Sequence, residues 1–228
     1  ERPFVSRLEE TLGQTCVNLG SVNAGLDSFV NDEELKQVAR GADMTVLQVL
    51  SAQNLSNRMY RVHPRRNDRF LQASDTLCAL YDEIDFTEYL FNKHLLTGLE
   101  ACSVDRFGAI RAELETAWVK RMTKMIRDLD GKVVLLWLRY ELEQGDNEGS
   151  PFGQEPSLVE AGMIDALRSQ VQAVIEVPVQ TAGPADDVDR MVLGQMDLPA
   201  AGHMIGPMEH IRIANAAADG LREALEPE

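Results

Sequence analysis

Four short β-prone runs, separated by longer segments with helical periodicity, restrict the folds open to this chain. The runs cover residues 15–19 (TCVNL), 45–50 (TVLQVL), 132–138 (KVVLLWL) and 173–177 (AVIEV). Their near-continuous hydrophobicity, without strict alternation, is typical of strands that are covered on both faces, as in parallel sheets. Strand and helix in alternation form the βαβ pattern, whose right-handed crossovers make a doubly wound sheet. We therefore predict a three-layer α/β/α fold with a mostly parallel sheet.

Helical periodicity is clearest in three of the intervening segments. Residues 31–40 begin at a capping side chain and end before a glycine, and residues 104–129 carry apolar side chains at three- and four-residue steps. A last helix is predicted after Pro207. Residues 55–102 contain no convincing strand, so we predict an insertion of irregular chain and two helices over the carboxyl ends of the strands. Residues 145–153 (GDNEGSPFG) form a polar, turn-rich loop.

Composition limits the domain organisation and the partners. With 228 residues and 44% hydrophobic content, the chain can bury one substantial core, and we predict a single domain over residues 1–228. The net charge of −15 opposes non-specific binding to nucleic acid or to an anionic membrane. No apolar run approaches the roughly 20 residues that span a bilayer. The start of the sequence has no signal-peptide pattern.

The cysteines give a further indication of the compartment. Three cysteines at unrelated spacings make neither a disulfide framework nor a CxxC metal site. We predict a cytoplasmic protein that uses no metal and no cofactor and that binds a small molecule. The sequence is compatible with either a monomer or an oligomer.

Two polar patterns follow predicted strands, where ligands bind in open α/β sheets. Residues 18–25 (NLGSVNAG) come directly after the first run, and a glycine turn such as that at Gly25 exposes backbone N–H groups that suit an oxyanion site. The alternative is an ordinary βα turn. Asn54 follows the second run, and its amide is a neutral donor that can stabilise an oxyanion. The alternative is an Asx-turn to its own backbone.

A histidine lies beside the start of the predicted last helix. His210 has the chemistry of a general base near neutral pH. A lone histidine is also often structural, and His203 competes for the same role.

Residues 58–69 (RMYRVHPRRNDR) concentrate five arginines in an otherwise acidic chain. Because the guanidinium group pairs with carboxylate, phosphate or sulfate, the cluster indicates an anionic ligand. If the segment is helical, Arg58 and Arg61 lie one turn apart and point the same way. The alternatives are a subunit contact or ion pairs with acidic residues of the insertion, namely Asp82, Glu83, Asp85 and Glu88. The predicted anion-binding residues are Arg58, Arg61, Arg65 and Arg66.

These patterns, in this order, resemble the SGNH (GDSL-like) hydrolases. NLGSVNAG is similar to their second block, in which a glycine corresponding to Gly25 supplies an oxyanion N–H. AQN is similar to the third block, with Asn54 in place and Ala52 where a glycine is usual. PMEH is similar to the fifth block and supplies His210, with Pro207 where the aspartate belongs. Without that aspartate, His210 needs another acceptor, such as Asp197 or a backbone carbonyl, to fix its tautomer.

Longer segments resemble an uncharacterised bacterial family with an SGNH-like, flavodoxin-like layout. They are SAQNLSNRMYRVHPRRNDRF, DFTEYLFNKHLL and KVVLLWL, and the resemblance covers nearly the whole chain. It implies that a first strand and a nucleophile-bearing turn precede Glu1. We therefore expect a vacancy at the centre of the sheet, or a strand borrowed from another segment.

The resemblance implies a hydrolase of the esterase or deacetylase type acting on a small ester, with Gly25, Asn54 and His210 at one mouth of the sheet. Three alternatives remain open. The first is an anion-binding protein without hydrolysis on the same scaffold. The second is a group transferase for a sulfated or phosphorylated substrate, for which no GxxxxGK[ST] loop is present. The third is a structural or regulatory role.

Overall fold

The computed structural model describes residues 2–141, 152, 155–183, 185 and 187–225. The strands are β1 (Thr45–Gln48), β2 (Tyr60–Val62), β3 (Phe70–Ala73), β4 (Val133–Tyr140) and β5 (Ala173–Val179). The helices are α1 (Phe4–Leu12), α2 (Leu26–Val30), α3 (Glu33–Arg40), α4 (Asp75–Leu80), α5 (Asn92–Cys102), α6 (Val104–Asp128), α7 (Ala161–Asp165) and α8 (Pro207–Leu225). The loop predicted at 145–153 lies outside the described residues, except for Phe152.

A parallel three-stranded sheet forms the centre of the fold, in the order β1-β4-β5. Thr45 pairs with Val133, and Val134 pairs with Ala173. The first six residues of β4 are all buried, as expected for a central strand that is covered on both faces. Three of the four predicted strands are therefore confirmed, and the chain has a mixed α/β fold.

Helices pack on both faces of this sheet because alternate side chains of β4 point in opposite directions. Leu135 belongs to the core that also contains Trp118 of α6. Leu136 belongs to a second core with Ile213 of α8 and Leu8 of α1. The predicted helices at 31–40, 104–129 and after Pro207 correspond to α3, α6 and α8. Among the helices that the structure describes, none is long and apolar enough to cross a membrane.

The run at 15–19 was predicted to be a strand, and this prediction is wrong. Helix α1 ends at Gly13, which has a left-handed backbone (φ 66°), and residues 15–20 are irregular. The Cys16 N–H donates to the Glu9 side chain at 2.8 Å, and the Val17 side chain is exposed. A β-prone composition produces a strand only where a neighbouring strand offers backbone partners. None of the described segments pairs with this run.

The insertion at 55–102 contains α4 and α5, as predicted, but also an unpredicted antiparallel hairpin. Strands β2 and β3 pair with a register shift between Arg61 and Val62. Because Arg61 lies in a strand, the condition for Arg58 and Arg61 to lie one helical turn apart is not met.

The expected vacancy at the centre of the sheet is also not observed. Strands β1 and β4 are hydrogen-bonded neighbours, as are β4 and β5. In the described part of the chain, the edge strands of this sheet are β1 and β5, so the free edges lie at its sides and not at its centre.

Candidate functional site

The chain leaving the carboxyl end of β1 is held in place by two buried aromatic side chains. The Trp118 indole N–H of α6 donates to the carbonyl of Leu50 at 2.8 Å. The phenol of Tyr60 in β2 donates to the carbonyl of Gln53 at 2.7 Å. Both rings are almost completely buried. These bonds fix the backbone on either side of the strand end and so determine where Asn54 lies.

Gly25 and Asn54 are in direct contact. A Cβ atom at Gly25 would lie 2.9 Å from the Cβ of Asn54 and closer still to its carbonyl oxygen, so only glycine fits between them. However, the Gly25 N–H donates to the Oδ1 of Asn67 at 2.8 Å. It is therefore not free for an oxyanion, and the role that the resemblance implies for Gly25 has no geometric support. Gly25 acts here by permitting close packing.

Three asparagines from different elements form a network around this contact. The Oδ1 of the fully buried Asn67 accepts hydrogen bonds from the N–H groups of Gly25 and Ser28, at 2.8 and 3.1 Å. The Nδ2 of Asn92, the first residue of α5, donates to the Asn67 carbonyl at 2.5 Å and to the Oδ1 of Asn54 at 3.0 Å. The network ties the turn before α2, the end of β1 and the start of α5 together.

This network leaves one donor of Asn54 unused. Its Oδ1 is the acceptor for Asn92, so its NH₂ group points to the other side. Among the described residues no acceptor contacts this NH₂ group. It is also not among the solvent-shielded polar atoms without a partner, so it is accessible to solvent. The side chain is half-buried. An amide donor with fixed orientation is therefore open to a ligand at the carboxyl edge of the sheet.

A second polar cluster joins the ends of β1 and β4. The Glu155 carboxylate accepts a bond from the Ser51 hydroxyl at 2.5 Å and from the Ser157 hydroxyl at 3.0 Å. The Ala52 N–H donates to the Ser157 carbonyl, and the Tyr140 N–H donates to the Glu155 carbonyl, at 3.0 and 3.1 Å. Burial and the Glu155 charge raise the pKa of the Tyr140 phenol to about 12. This cluster fastens the 155–157 segment against the strand ends.

His210 lies in a cleft of about 440 Å³ near the end of the central strand, β4. The cleft is lined by Pro3, Tyr140, Met191, Val192, Leu193, His203, Met204, Ile205 and His210. Within the described part of the chain, neither Gly25 nor Asn54 belongs to this lining. Asn54 follows β1, whereas the cleft is lined by Tyr140, the last residue of β4. The structure brings Gly25 and Asn54 together and places His210 in a neighbouring cavity.

A hydrogen bond to His210 Nδ1 favours one tautomer of its neutral ring. The Phe4 N–H donates to Nδ1 at 3.3 Å, and the Phe4 ring stacks on the imidazole with centroids 6.2 Å apart. An acceptor nitrogen carries no proton, so the neutral ring has its proton on Nε2. A base of the SGNH type needs the opposite tautomer, with Nδ1–H donating to an acceptor and Nε2 free. The predicted acceptor for Nδ1, Asp197 or a carbonyl, is therefore not compatible with this arrangement.

Arg58 pairs with a buried carboxylate, although its own side chain is 82% exposed. Its Nε and Nη2 lie 2.6 Å from the Oε2 of Glu113 in α6, and its backbone N–H donates to Oε1 at 2.9 Å. The Glu113 side chain is 5% exposed. Ion pairing, the alternative considered for the arginines, thus applies to Arg58, although its partner comes from α6 and not from the insertion.

The other arginines of the cluster differ in their surroundings. Arg66 pairs with Asp68 at 3.4 Å, and the Arg69 guanidinium lies 5.5 Å from the centre of the Phe91 ring. Arg61 and Arg65 are exposed and pair with no carboxylate of the described residues. All four predicted anion-binding arginines are therefore exposed, but only Arg61 and Arg65 lack a carboxylate partner among the described residues.

In the described part of the chain, no group of three or more His, Cys, Asp or Glu side chains is placed so that it could hold a metal ion.

Four residues of this region were not predicted from the sequence. Asn67, Asn92, Tyr140 and Glu155 contribute through contacts with residues far away in the chain, such as the 38-residue separation between Asn54 and Asn92. The only signal in the sequence is that Asn67 and Asn92 lie within two of the three segments that carry the family resemblance.

Comparison with known proteins identifies one family for this chain. No curated protein and no solved structure matches the chain. A family model described as "Domain of unknown function (DUF6473)" matches residues 1–225. The chain therefore belongs to the DUF6473 family.

Proposed function

We propose that this protein is a hydrolase of the SGNH kind that acts on a small ester at the carboxyl edge of its parallel sheet. The observation that supports this most is the Asn54 side chain, whose Oδ1 is held by Asn92 while its NH₂ group is open. In SGNH hydrolases an asparagine after a strand donates to the oxyanion, and the AQN segment is similar to that block. A three-layer, doubly wound arrangement like that of those hydrolases is part of the proposal.

In the proposed reaction, the Asn54 NH₂ group donates to the carbonyl oxygen of the ester. Water adds to the carbonyl carbon, or a serine hydroxyl does so and water later hydrolyses the acyl-serine that forms; in either case the carbonyl oxygen becomes an oxyanion. The bond to the alcohol then breaks, and the alcohol leaves with the proton that the attacking group gives up. A donor in fixed orientation stabilises the oxyanion more than the ground-state carbonyl and so lowers the barrier.

The other predicted catalytic residues have altered roles in this proposal. Gly25 allows the loop before α2 to pack against Asn54, because its N–H is engaged by Asn67. His210 is a residue of the neighbouring cleft and not the general base, because its Nδ1 accepts the Phe4 N–H. The proposal therefore rests on Asn54.

The test is the turnover of a chromogenic acetyl ester by the full-length protein and its Asn54→Ala variant. Loss of one oxyanion donor typically lowers kcat by about 10²- to 10³-fold, and we expect a decrease of that size. The matched control is Asn57→Ala. Asn57 caps a turn through bonds to the Met59 and Tyr60 N–H groups, so its loss should lower stability and leave kcat unchanged. Equal turnover by wild type and Asn54→Ala would exclude the mechanism.

A second candidate function is the binding of a small anion without hydrolysis. It is favoured by the exposed Arg61 and Arg65, which have no carboxylate partner in the described part of this acidic chain. Fixed positive charge of this kind attracts phosphate or sulfate groups, and the attraction weakens with added salt. Such a ligand would contact the hairpin and not the end of β1.

A further inference from the structure

We infer that Asn92 is the positioning residue for Asn54, setting which end of the Asn54 amide faces the ligand. This inference rests on the proposed function, in which the Asn54 NH₂ group is the oxyanion donor. Asn92 itself is completely buried and is not accessible to a ligand. It therefore acts through Asn54 and not on the substrate.

A backbone carbonyl can only accept a hydrogen bond, and this fixes the orientation of the side-chain amides in the network. The Asn67 carbonyl can only accept, so the Asn92 atom that faces it at 2.5 Å must be the donor Nδ2. The same Nδ2 lies 3.0 Å from the Asn54 side chain, so the Asn54 atom that faces it must be the acceptor Oδ1. The NH₂ group of Asn54 is thereby directed away from Asn92.

Asn92 is itself held firmly. Its backbone N–H donates to the Asp68 carbonyl at 3.0 Å. It begins α5, whose Leu95, Leu96 and Leu99 side chains are completely buried in the main core. Asn92 is thus attached to a packed helix, whereas Asn54 lies on an irregular segment. A side chain on a rigid element is well placed to support a donor on a loop.

The chemistry of the site explains why orientation matters. If the Asn54 amide turned over, its oxygen would face the ligand, and an oxygen repels a developing oxyanion. If it rotated freely, only part of the population would present the donor. Either change affects the step in which the oxyanion forms, so it lowers kcat more than it raises KM.

A double-mutant cycle separates positioning from a structural role. Asn92→Ala should lower kcat for the acetyl ester by about tenfold with KM changed less than twofold. In the Asn54→Ala background, the same substitution should change kcat by less than about twofold, because Asn92 has no amide left to position. A purely structural residue would lower kcat by the same factor in both backgrounds, and that result would overturn the inference.

If Asn92→Ala does not fold, Asn92→Asp provides the test. The aspartate has the same shape, but its carboxylate can donate neither to the Asn54 Oδ1 nor to the Asn67 carbonyl. It attracts the Asn54 NH₂ group and so turns the amide over. We expect kcat to fall at least as far as in Asn54→Ala; a wild-type kcat in a folded Asn92→Asp protein would overturn the inference.

A second readout does not depend on ester turnover. Relaxation of the ¹⁵N-labelled Asn54 side-chain amide should give an order parameter near that of rigid backbone, about 0.85, in the wild type and below about 0.6 in Asn92→Ala. An equally mobile amide in the wild type would overturn the inference. A rigid wild-type amide that loosens in the variant, in a protein without esterase activity, would keep the positioning role and reject the proposed function. Asn57→Ala, the matched control, should leave this order parameter unchanged.

Discussion

At the scale of single residues, the site depends on which groups already have partners. Asn54 keeps an open donor because Asn92 occupies only its acceptor. Gly25 has no open donor because Asn67 accepts its N–H. Residue type alone suggested both as oxyanion donors, and only the hydrogen-bond partners distinguish them.

The arginines show the same principle and lead to a prediction. Arg58→Ala should lower the free energy of unfolding by about 1–3 kcal/mol, because the buried Glu113 carboxylate would lose its charged partner. Arg61→Ala removes an exposed side chain without a carboxylate partner among the described residues, and should change the free energy by less than about 0.5 kcal/mol. Urea unfolding of both variants measures the difference. Equal stability losses would contradict these assignments.

At the scale of elements, the turn before α2 is built for close contact with the end of β1. Gly25→Ala should lower the free energy of unfolding by about 1–3 kcal/mol. The added Cβ would overlap with Asn54 and Asn67, so the turn would have to move. Turnover should fall in parallel, because Asn54 would be displaced.

Gly108→Ala is the control for this substitution. Gly108 lies inside α6, and a Cβ there meets no atom within 4 Å. Alanine is a better helix former than glycine, so this substitution should raise the free energy of unfolding by about 0.5–1 kcal/mol. Thermal unfolding reports both variants, and a stable Gly25→Ala protein with full turnover would contradict the packing role of Gly25.

The elements also show what the sequence can and cannot predict. The runs at 45–50, 132–138 and 173–177 were recognised because each is short, apolar and β-prone, although only β4 is buried on both faces. The run at 15–19 has similar composition, but its fate depends on a neighbour, which composition does not reveal. The hairpin was missed because β2 has only three residues and an arginine-rich turn follows it. Asn54 was identified by its place after a strand, whereas its contact with Asn92 depends on tertiary packing.

At the scale of the whole molecule, the surface charge and the sheet favour different ligand sites. The chain has a net charge of −15, so a small anion is repelled by most of the surface and attracted to the arginine hairpin. The carboxyl edge of the sheet is instead the usual ligand position in open α/β folds. The hydrolase proposal places the ligand at the strand end, and the anion-binding proposal places it on the hairpin.

The central claim is that the Asn54 NH₂ group contacts the ligand, and a titration of the ¹⁵N-labelled full-length protein with acetate tests it most directly. Acetate is the acid that hydrolysis of an acetyl ester releases, and its oxygens accept hydrogen bonds. We predict a saturable shift of the Asn54 side-chain amide signals, with smaller changes at Arg61 and Arg65. Shifts confined to Arg61 and Arg65, with the Asn54 amide unchanged, would contradict the claim and favour anion binding on the hairpin.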